Sequence, residues 1–422
     1  MTDDLMKSSG SRDAGNSTHA DEQRLYPKVR FRGFDEPWKK VKLGDVAEII
    51  GGGTPSTSNL EYWDGNINWF TPTEVGKTIY LHESQRKLSE LGLKKSSARL
   101  LNPGAILFTS RAGIGNTGII INPSATNQGF QSIQPNKNII DSYFIFCLSS
   151  RLKRYALKHS AGSTFTEISG SEMKKAKIRI CAKNEQNKIS TCIKSLDSLL
   201  SLQQRKLELM KQLYRYLLEN LNTEKKHPNI FIKGNYSHWN KVKLSDLGEI
   251  RTGKTPTPSV RSNYTNIGMP FVTPTEIVDL YNYNTSRFIS NSGLKKAQIA
   301  PKGSILVTCI ASIGKNTCVF KEKVAFNQQI NAVTPNSFND STFLAFKSLQ
   351  WSKRIDCLTA NTAMQIINKK DFSNIETMVP NLNEQKDISK IWLKSYSLTY
   401  KYSDAKKLII RLKKFLLQNL FI

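Results

Sequence analysis

The stretch WKKVKL at residues 38–43 returns as WNKVKL at residues 239–244, an offset of 201 residues. Other stretches return at nearly the same distance: TPTE at residues 71–74 and 273–276, NEQ at residues 184–186 and 383–385, and LLENL at residues 217–221 as LLQNL at residues 416–420. A solenoid repeat is only about 20 to 50 residues long, so each copy here is domain-sized. The sequence therefore predicts two similar modules on one chain, related by an approximate twofold axis.

The composition is that of a globular protein without a membrane segment. The chain has 422 residues, of which 39% are hydrophobic. No apolar run reaches the ~18 residues of a membrane helix, and the N-terminus lacks the pattern of a signal peptide. The six cysteines form no Cys-x-x-Cys pair and share no metal-ligand spacing with the five histidines. We therefore expect a cytoplasmic protein with reduced core thiols and no metal site.

The chain carries a large positive charge, with 61 Lys and Arg against 34 Asp and Glu and a formal charge of +27. Such a charge favours a polyanionic partner, because neutralising its phosphates releases counterions. Binding to an anionic membrane would need an amphipathic basic helix or a tight cationic cluster. The cations are spread over both modules, so nucleic acid is favoured over a membrane.

The repeat divides the chain into six segments. They are a disordered leader (residues 1–24), a first globular domain (25–182), a central helix (183–222), a linker (223–237), a second globular domain (238–381) and a C-terminal helix (382–422). Each globular domain contains a strand-length apolar run behind a turn glycine, at residues 105–109 and 304–308. Residues 143–150 and 343–349 are expected to form short helices.

Both long helices show a heptad seam, in which apolar residues recur at steps of three and four. The first seam consists of Ile189, Ile193, Leu196, Leu200, Gln203, Leu207, Met210, Tyr214, Leu217 and Leu221, and the second of Ile388, Ile391, Ser395, Leu398, Tyr402, Ala405, Ile409, Leu412, Leu416 and Asn419. A seam sustained beyond four heptads is typical of a coiled coil. Two such seams on one chain are best explained by pairing with each other. A helix of about 38 residues would span about 57 Å, long enough to set a distance.

Two motifs resemble nucleotide-binding loops, but prolines follow each of them where such a loop requires a helix. GEIRTGKT at residues 248–255 fits the phosphate-loop pattern, but Pro256 and Pro258 follow at once, where that loop requires a helix. GIGNTG at residues 113–118 fits the dinucleotide fingerprint, but Pro123 leaves no room for the required helix. We interpret both as turns and expect no ATP or dinucleotide site.

No set of residues in the chain forms a catalytic constellation. The sequence contains no Pro-Pro, so it lacks the Asp/Asn-Pro-Pro-aromatic loop of enzymes that methylate base amino groups, and it has no nuclease-like acidic cluster. Glu74, Glu185, Glu276 and Glu384 recur across the modules. Each of them fits a turn or helix-start carboxylate as well as it fits a catalytic one.

The order of these motifs, present twice with two long helices, resembles the specificity subunit of type I restriction-modification enzymes. The residues that carry the resemblance are KLGD at 42–45 with GGTPS at 52–56, KLSD at 243–246 with TGKTP at 252–256, Gly104, Gly303, the Ile-Gly pairs at 114–115 and 313–314, the Asn-Gln pairs at 127–128 and 327–328, and NEQ before each helix. Two local turns depart from the family pattern, at residues 181–183 and 361–363.

The resemblance implies an α+β fold with two pseudo-twofold-related mixed α/β target-recognition domains, separated by two long helices that form an antiparallel coiled coil. Each domain would read one half of a split double-stranded DNA sequence. The helices would dock two methyltransferase subunits, and motor-nuclease restriction subunits would complete the enzyme. The family performs no catalysis itself, so this chain is expected to bind no cofactor, with S-adenosylmethionine and ATP on the partner subunits.

Candidate DNA-binding residues are polar loop residues and cations in both modules, because polar side chains read base edges and cations neutralise phosphates. They are Thr54, Ser56, Thr57, Ser58, Thr73, Lys77, Arg86, Lys94, Lys95, Arg99 and Arg111 in the first module, and Lys254, Thr255, Thr257, Arg261, Thr275, Arg287, Lys295, Lys296 and Lys315 in the second. Candidate partner-binding residues on the helices are Ile189, Ile193, Leu196, Leu200, Leu207, Met210, Leu217, Ile388, Ile391, Leu398, Ile409, Leu412 and Leu416.

Two other classes of protein remain open from the residues alone. The charge and the coils would also suit an RNA-binding or structural scaffold, although no aromatic RNP pattern is present. A self-contained methylase-nuclease is disfavoured by the missing catalytic motifs.

Overall fold

The computed structural model describes residues 5–7, 25–111, 113–161, 166–232, 237–281, 285–310, 317–359 and 366–422. The chain divides into two compact units. Unit 1 comprises Met1–Leu202 with Lys406–Ile422, and unit 2 comprises Gln203–Ala405. Each long helix therefore contributes one part to unit 1 and the other part to unit 2.

Unit 1 is built from short strands and helices around two larger sheets. Its strands are β1 (Leu5–Lys7), β2 (Val29–Phe31), β3 (Lys39–Lys42), β4 (Ala47–Gly51), β5 (Trp63–Phe70), β6 (Tyr80–Leu81), β7 (Arg86–Leu88), β8 (Ile106–Phe108), β9 (Thr117–Ile120), β10 (Ser124–Thr126), β11 (Gln131–Pro135) and β12 (Lys177–Ile180). Its helices are α1 (Leu43–Val46), α2 (Glu90–Lys94), α3 (Ser142–Cys147), α4 (Ser149–His159), α5 (Gly170–Lys174) and the first part of α6 (Lys183–Leu221). The sheets have the strand orders β4-β11-β8-β9-β6, β10-β5-β7, β12-β3 and β1-β2.

Unit 2 repeats this plan. Its strands are β13 (Asn240–Lys243), β14 (Gly248–Thr252), β15 (Tyr264–Thr265), β16 (Met269–Val272), β17 (Phe288–Ile289), β18 (Gln298–Ala300), β19 (Ile305–Thr308), β20 (Thr317–Val319), β21 (Val324–Phe326), β22 (Ile330–Pro335) and β23 (Glu376–Val379). Its helices are α7 (Leu244–Leu247), α8 (Asn291–Leu294), α9 (Ser341–Thr359), α10 (Lys369–Ser373) and the first part of α11 (Leu382–Asn419). The sheet orders are β14-β22-β19-β20, β15-β17-β16-β21-β18 and β13-β23. Parallel and antiparallel pairs occur in both units, which confirms the mixed α/β class.

The two predicted turn glycines have the conformation that their position requires. Gly104 and Gly303 have φ values of +93° and +83°, in the left-handed region that side chains disfavour. Each is the last residue of the turn before a fully buried strand, β8 or β19. The prediction of a strand behind a turn glycine is confirmed in both units.

The predicted short helices differ from those observed. In unit 1 the run becomes two helices, α3 and α4, and Asp141 caps the first by accepting from the Phe144 N–H at 2.9 Å. In unit 2 a single helix, α9, extends through Thr359. The prediction from apolar residues stopped early because the later turns of these helices are mainly polar.

The leader falls almost entirely outside the described residues. Its described part, Leu5–Lys7, forms β1 and pairs antiparallel with β2, from Leu5 opposite Phe31 to Lys7 opposite Val29. The polar composition of the leader gave no sign of this strand.

A tryptophan at the start of each repeat lies in the core of its unit. Trp38 packs at 5.7 Å from Phe144 and at 6.2 Å from Phe421, near the end of the chain. Trp239 packs at 5.8 Å from Phe343, which itself stacks on Trp392 of α11 at 5.5 Å. The long helices are therefore part of the hydrophobic core of each unit.

In unit 2 the two helix segments run antiparallel. Gln203 Nε2 donates to Tyr402 O at 3.0 Å, and Trp392 Nε1 donates to Leu217 O at 3.3 Å. As the residue number rises along α6, the partner number falls along α11. The predicted antiparallel pairing is confirmed within this unit.

The heptad seam of α11 was assigned partly in the wrong phase. Leu412 is 45% exposed, whereas its neighbour Lys413 forms an ion pair with Asp197 of α6. Trp392, which the seam omitted, is fully buried. The spacing of apolar residues along one helix does not show which face of that helix packs against the rest of its unit. None of the described helices combines the length and apolar character that crossing a membrane requires.

Candidate nucleic-acid interface

The loop after β4 and its counterpart after β14 lie directly against a second chain segment. A Cβ atom on Gly52 would lie 1.9 Å from Asn127 O, and one on Gly253 would lie 1.9 Å from Asn327 O. Only glycine permits these approaches. The loops are therefore held against the Asn-Gln pairs that follow β10 and β21.

A threonine and a glutamine meet at this place in both units. Thr54 Oγ1 donates to Gln128 Oε1 at 2.5 Å, and Thr255 Oγ1 donates to Gln328 Oε1. Both glutamines are exposed, so each retains its amide donors for a ligand. Hydroxyl and amide groups of this kind can read base edges.

The TPTE turns border the same place. Asn127 N donates to Phe70 O at 3.1 Å, and Asn327 N donates to Val272 O at 3.1 Å, so each turn begins beside an Asn-Gln pair. Thr73 and Thr275 are exposed on these turns. Each turn therefore borders the loop of its own unit, Thr73 near that of Thr54 and Thr275 near that of Thr255, and their part in binding DNA stays a prediction.

The glutamates of these turns are structural. Glu74 accepts from the Thr71 N–H at 2.8 Å and from the Gln85 N–H at 2.7 Å. Glu276 accepts from the Thr273 N–H at 2.9 Å. Both carboxylates close a short turn.

Aromatic side chains donate hydrogen bonds to main-chain carbonyls of the loop in each unit. Trp63 Nε1 donates to Ser56 O at 3.1 Å, and Trp69 Nε1 donates to Gly53 O at 2.9 Å. In unit 2, Tyr264 OH donates to Pro256 O at 2.6 Å. These aromatic residues could not be identified from the sequence, because a bond from a side chain to a distant carbonyl leaves no local pattern.

An arginine accompanies the aromatic residues in each unit. The guanidinium of Arg86 lies 3.5 Å from the centroid of the Trp63 ring, a cation–π contact that fixes an exposed cation in place. In unit 2, burial raises the pKa of Tyr264, and the positive charge of Arg287 opposes this rise. Arg86 pairs with Trp69 across β7 and β5, and Phe271 N donates to Arg287 O at 2.9 Å, so the two arginines occupy corresponding positions in their units.

Other predicted cations lie near the loop of unit 1. Lys94 ends α2 and Lys95 caps it, and the segment after them reaches Gly53, whose Cβ would lie 2.2 Å from Ser97 Oγ. Arg111 Nε lies 3.6 Å from the Cβ position of Gly129, next to Gln128. The remaining predicted residues of this unit, Ser56, Thr57, Ser58, Lys77 and Arg99, are exposed.

In unit 2 the predicted cations are also exposed. They are Lys254, Arg261, Arg287, Lys295 and Lys296, together with the polar residue Thr257. Lys315 lies outside the described residues. No salt bridge between described residues involves any of the predicted DNA-binding cations of either unit. Their charges are therefore not neutralised by a described carboxylate.

Both nucleotide-loop lookalikes are turns between strands, as predicted. Residues 248–252 form β14, and residues 253–257 form an irregular loop without a helix. Residues 117–120 form β9, directly after Gly113 and Gly115. Neither segment offers the helix N-terminus that would bind phosphates.

The predicted partner-binding residues are mostly turned inward. Ile189, Ile193, Leu196, Leu207, Ile388 and Leu416 are buried, and Leu200, Met210, Leu217, Ile391, Leu398 and Ile409 are half-buried. The buried ones pack in their own units and are not exposed to a partner. The exposed apolar residues of the two helices are Leu199, Leu202, Leu209, Leu213, Tyr216, Leu393, Leu408, Ile410, Leu412 and Phe415.

The described cysteines are free thiols that belong to no metal-binding group of described residues. No group of three metal-ligating side chains occurs in the described part of the chain. Cys147, Cys181, Cys192, Cys309 and Cys318 are free thiols. Burial raises the pKa of Cys147 and of Cys309 to about 12, so neither is a thiolate at neutral pH.

Comparisons with known proteins agree with this geometry. Residues 35–212 and 236–407 match the family described as type I restriction modification DNA specificity domain. The specificity subunit of type I restriction enzyme MjaIX from Methanocaldococcus jannaschii is 31% identical over 269 residues, covering 61% of this chain and 62% of the relative. The EcoR124I/EcoR124II specificity subunit from Escherichia coli is 28% identical over 200 residues, covering 44% and 48%. The chain thus spans less than two thirds of either relative.

Solved structures share the fold. The S subunit of a type I restriction-modification system from M. genitalium superposes with a TM-score of 0.61 at 14% identity, covering 94% of this chain and 99% of that one. A structure described under complex assembly and conformational transition of the type I R-M system gives a TM-score of 0.51 at 18% identity, covering 91% and 97%. Because the family match includes both repeats and most of the sequence, this chain belongs to the type I restriction-modification DNA specificity family.

Proposed function

We propose that this chain is the non-catalytic subunit that recognises DNA in a type I restriction-modification enzyme, and that each unit reads one half of a bipartite double-stranded target. The observation that carries the proposal is a surface that occurs in both units: an exposed Thr–Gln pair, a TPTE turn and an exposed arginine at corresponding strand positions. Polar groups there would contact base edges, while the exposed cations would contact phosphates. An RNA scaffold is disfavoured, because the rings of Trp63 and Trp69 are buried beneath the loop and cannot stack on bases.

The partners and cofactors follow from family membership. Two methyltransferase subunits would supply S-adenosylmethionine chemistry, and restriction subunits would supply ATP-driven motion and cleavage, in the cytoplasm. This chain would bind neither cofactor. Replacing Lys254 by Ala should leave ATP hydrolysis of the complete enzyme intact, because no helix follows that lysine to bind a nucleotide phosphate. Loss of ATP hydrolysis with unchanged DNA binding would contradict this.

Whether each unit reads its own half-site can be tested by exchanging the globular part of unit 1. Residues 38–182 would be replaced by the corresponding segment of a different specificity subunit, and modified adenines would be mapped across a genome that expresses the complete enzyme. We expect one half of the methylated sequence to change and the other half to remain. A change in both halves would show that the two units do not read separately.

The exposed apolar residues that the long helices contribute to each unit, taken separately, are the proposed docking surfaces for the methyltransferases. Isolated exposed apolar residues are common, but a series along one helix pair indicates a protein-binding surface. Replacing Leu412 and Phe415 by Asp should reduce co-purification of the methyltransferase. Replacing the neighbouring exposed Gln418 by Asp is the matched control and should have little effect. Equal recovery with both variants would rule this surface out.

The helices are also proposed to set the length of the unread spacer. Inserting four residues near Gln203 would lengthen α6 by ~6 Å and rotate the remainder of the helix by ~40°. Since one base pair rises ~3.4 Å, we expect a spacer longer by one or two base pairs, with both half-sites unchanged. An unchanged spacer with full activity would mean that the helices only dock partners.

A further inference from the structure

Each unit has a short 3₁₀ turn directly after the loop that follows β4 or β14. The turn comprises Leu60–Tyr62 in unit 1 and Arg261–Asn263 in unit 2. In both cases the N–H of the residue after the turn donates to the carbonyl of the first residue of the turn. The two turns are therefore counterparts, and Leu60 stands where unit 2 has Arg261.

The start of a neighbouring helix fixes both turns in the same way. Ser89 N donates to Tyr62 O at 3.1 Å, and Ser290 N donates to Asn263 O at 3.0 Å. A Cβ atom on the glycine three residues after each serine would lie 2.2 Å from the same carbonyl oxygen. Main-chain contacts thus hold the two turns alike, and the units differ in the side chain that the first position of the turn presents.

The side chains of the two turns differ in charge and polarity. Leu60 is 80% exposed, so its burial contributes little to the stability of unit 1. The exposed Glu61 follows Leu60, whereas the exposed Ser262 follows Arg261. The turn of unit 1 therefore presents an apolar side chain beside a negative charge, and the turn of unit 2 presents a positive charge. A negative charge disfavours contact with a phosphate, so the base edges are what this turn of unit 1 can contact on DNA.

The turn of unit 1 adjoins the candidate nucleic-acid interface. Trp63 directly follows the turn, and its Nε1 donates to Ser56 O in the loop at 3.1 Å. The guanidinium of Arg86 lies 3.5 Å from the centroid of the same ring. Leu60 is thus three residues away from a side chain that contacts both the loop and a predicted DNA-binding cation.

We propose that Leu60 contacts the methyl group of a thymine in the major groove of the half-site that unit 1 reads. The C5-methyl of thymine is the apolar group that base edges offer in the major groove, and apolar side chains contact it. Arg261 places a guanidinium at the same position in unit 2, a group that pairs with guanine, so the two turns favour different bases. The inference rests on the proposed function, since it requires that unit 1 binds DNA.

The test replaces thymine by deoxyuridine, which lacks only the methyl group. The half-site of unit 1 is identified by the exchange of residues 38–182. Duplexes that carry the mapped target then receive deoxyuridine at one thymine of that half-site at a time. Their binding to the enzyme assembled with its methyltransferase subunits is measured by fluorescence anisotropy. We expect one of these replacements to weaken binding by about fourfold, the loss that corresponds to one buried methyl group.

Two variants assign the effect to Leu60. Leu60→Ala should bind the thymine and deoxyuridine duplexes with equal affinity, because the side chain that contacts the methyl group is removed. The matched control is Leu157→Ala, since Leu157 is 53% exposed on α4 of the same unit, and this variant should keep the fourfold ratio. Because the readout is a ratio of two affinities, a general loss of binding in a variant does not imitate the expected result.

Three results would overturn the proposal. The first is a half-site of unit 1 that contains no thymine in either strand, and the second is wild-type binding that no deoxyuridine weakens. The third is a fourfold ratio that persists in Leu60→Ala, which would assign the methyl contact to another residue. The proposed function survives each of these if the wild-type enzyme still prefers its target to a duplex with this half-site scrambled. Equal binding to the target and the scrambled duplex would contradict the proposed function itself.

Discussion

The two long helices share the sequence Asn-Glu-Gln in their first turn, but the glutamates form different contacts. In unit 1, Glu185 forms a buried bidentate pair with Arg30, with Nε–Oε1 and Nη2–Oε2 distances of 2.8 Å. In unit 2, Glu384 accepts from Trp239 Nε1 at 3.1 Å and from the Ser237 hydroxyl. Trp38, the counterpart of Trp239, leaves its buried Nε1 without a described partner.

The glutamines, in contrast, share two main-chain contacts in both units. Gln186 accepts from the Asp141 N–H at 2.9 Å and donates to Cys181 O at 2.8 Å. Gln385 accepts from the Asp340 N–H at 2.9 Å and donates to Pro380 O at 3.0 Å. The glutamine thus attaches each long helix to its globular part through main-chain groups, which both units offer. The glutamate depends on side-chain donors, which the two units do not share.

The largest expected difference between the two units is the loss of stability when Glu185 or Glu384 is changed to Gln. Glu185→Gln leaves Arg30, which is 4% exposed, as an unpaired buried charge, so unit 1 should lose about 3–5 kcal/mol. Glu384→Gln removes only hydrogen bonds to neutral donors, and should cost about 1 kcal/mol. Urea unfolding followed by tryptophan fluorescence would measure both. Equal losses would contradict the assigned roles.

In unit 2, Glu224 and Lys347 form an ion pair whose contribution to the free energy of unfolding depends on pH. Burial lowers the pKa of Lys347 from 10.5 to about 8, against the opposing attraction of Glu224. The unfolded chain therefore binds more protons between pH 8 and 10.5, and the contribution of this lysine to stability rises with pH across that window. Glu224→Gln should cost about 3 kcal/mol near neutral pH, because Lys347 is left buried without its carboxylate.

The pH dependence provides the control for this pair. The deficit of Glu224→Gln should shrink as the pH rises above about 8, where Lys347 becomes neutral. Lys347→Met should remove the rise in stability between pH 8 and 10.5, since no buried lysine then titrates at this place. A Glu224→Gln deficit that stays constant with pH would mean that Lys347 is not the group affected.

Matched changes in the glutamines should give equal, smaller effects. Gln186→Leu and Gln385→Leu each leave a buried main-chain N–H and C=O without their partner, so each should cost about 2 kcal/mol. Thermal unfolding of the two variants would compare them. A loss confined to one variant would show that the shared contacts do not contribute equally.

The sequence predicted the features that depend on local pattern or on duplication. The two modules, the strands behind Gly104 and Gly303, and helices within a few residues of α6 and α11 are confirmed. The rotation of α11 about its axis was not predictable, because the burial of Trp392 depends on Phe343 and Phe346 in another element. The partners of Glu185 and Glu384 were likewise hidden, since they lie 155 and 145 residues away in sequence.

The sequence predicted only part of the candidate nucleic-acid interface, because contacts between residues far apart in sequence leave no local pattern. Thr54 and Thr255 were identified from repeated loops, and the structure adds their glutamine partners. The role of Trp63 and Trp69 beneath the loop was missed, because their indole N–H groups bond to main-chain carbonyls 7 and 16 residues away. Such contacts arise from the tertiary fold and leave no periodicity.

The separate reading of two half-sites is tested most directly with Arg86→Ala and Arg287→Ala, which remove corresponding loop-side arginines. Each variant would be assembled with its methyltransferase partners, and the sequences that it binds would be selected from a random duplex library. We predict that each variant relaxes preference in one half of the target, by about 1–3 kcal/mol at the affected base pair, and that the two variants affect different halves. Relaxation of the same half by both variants, or of both halves by either one, would contradict the account.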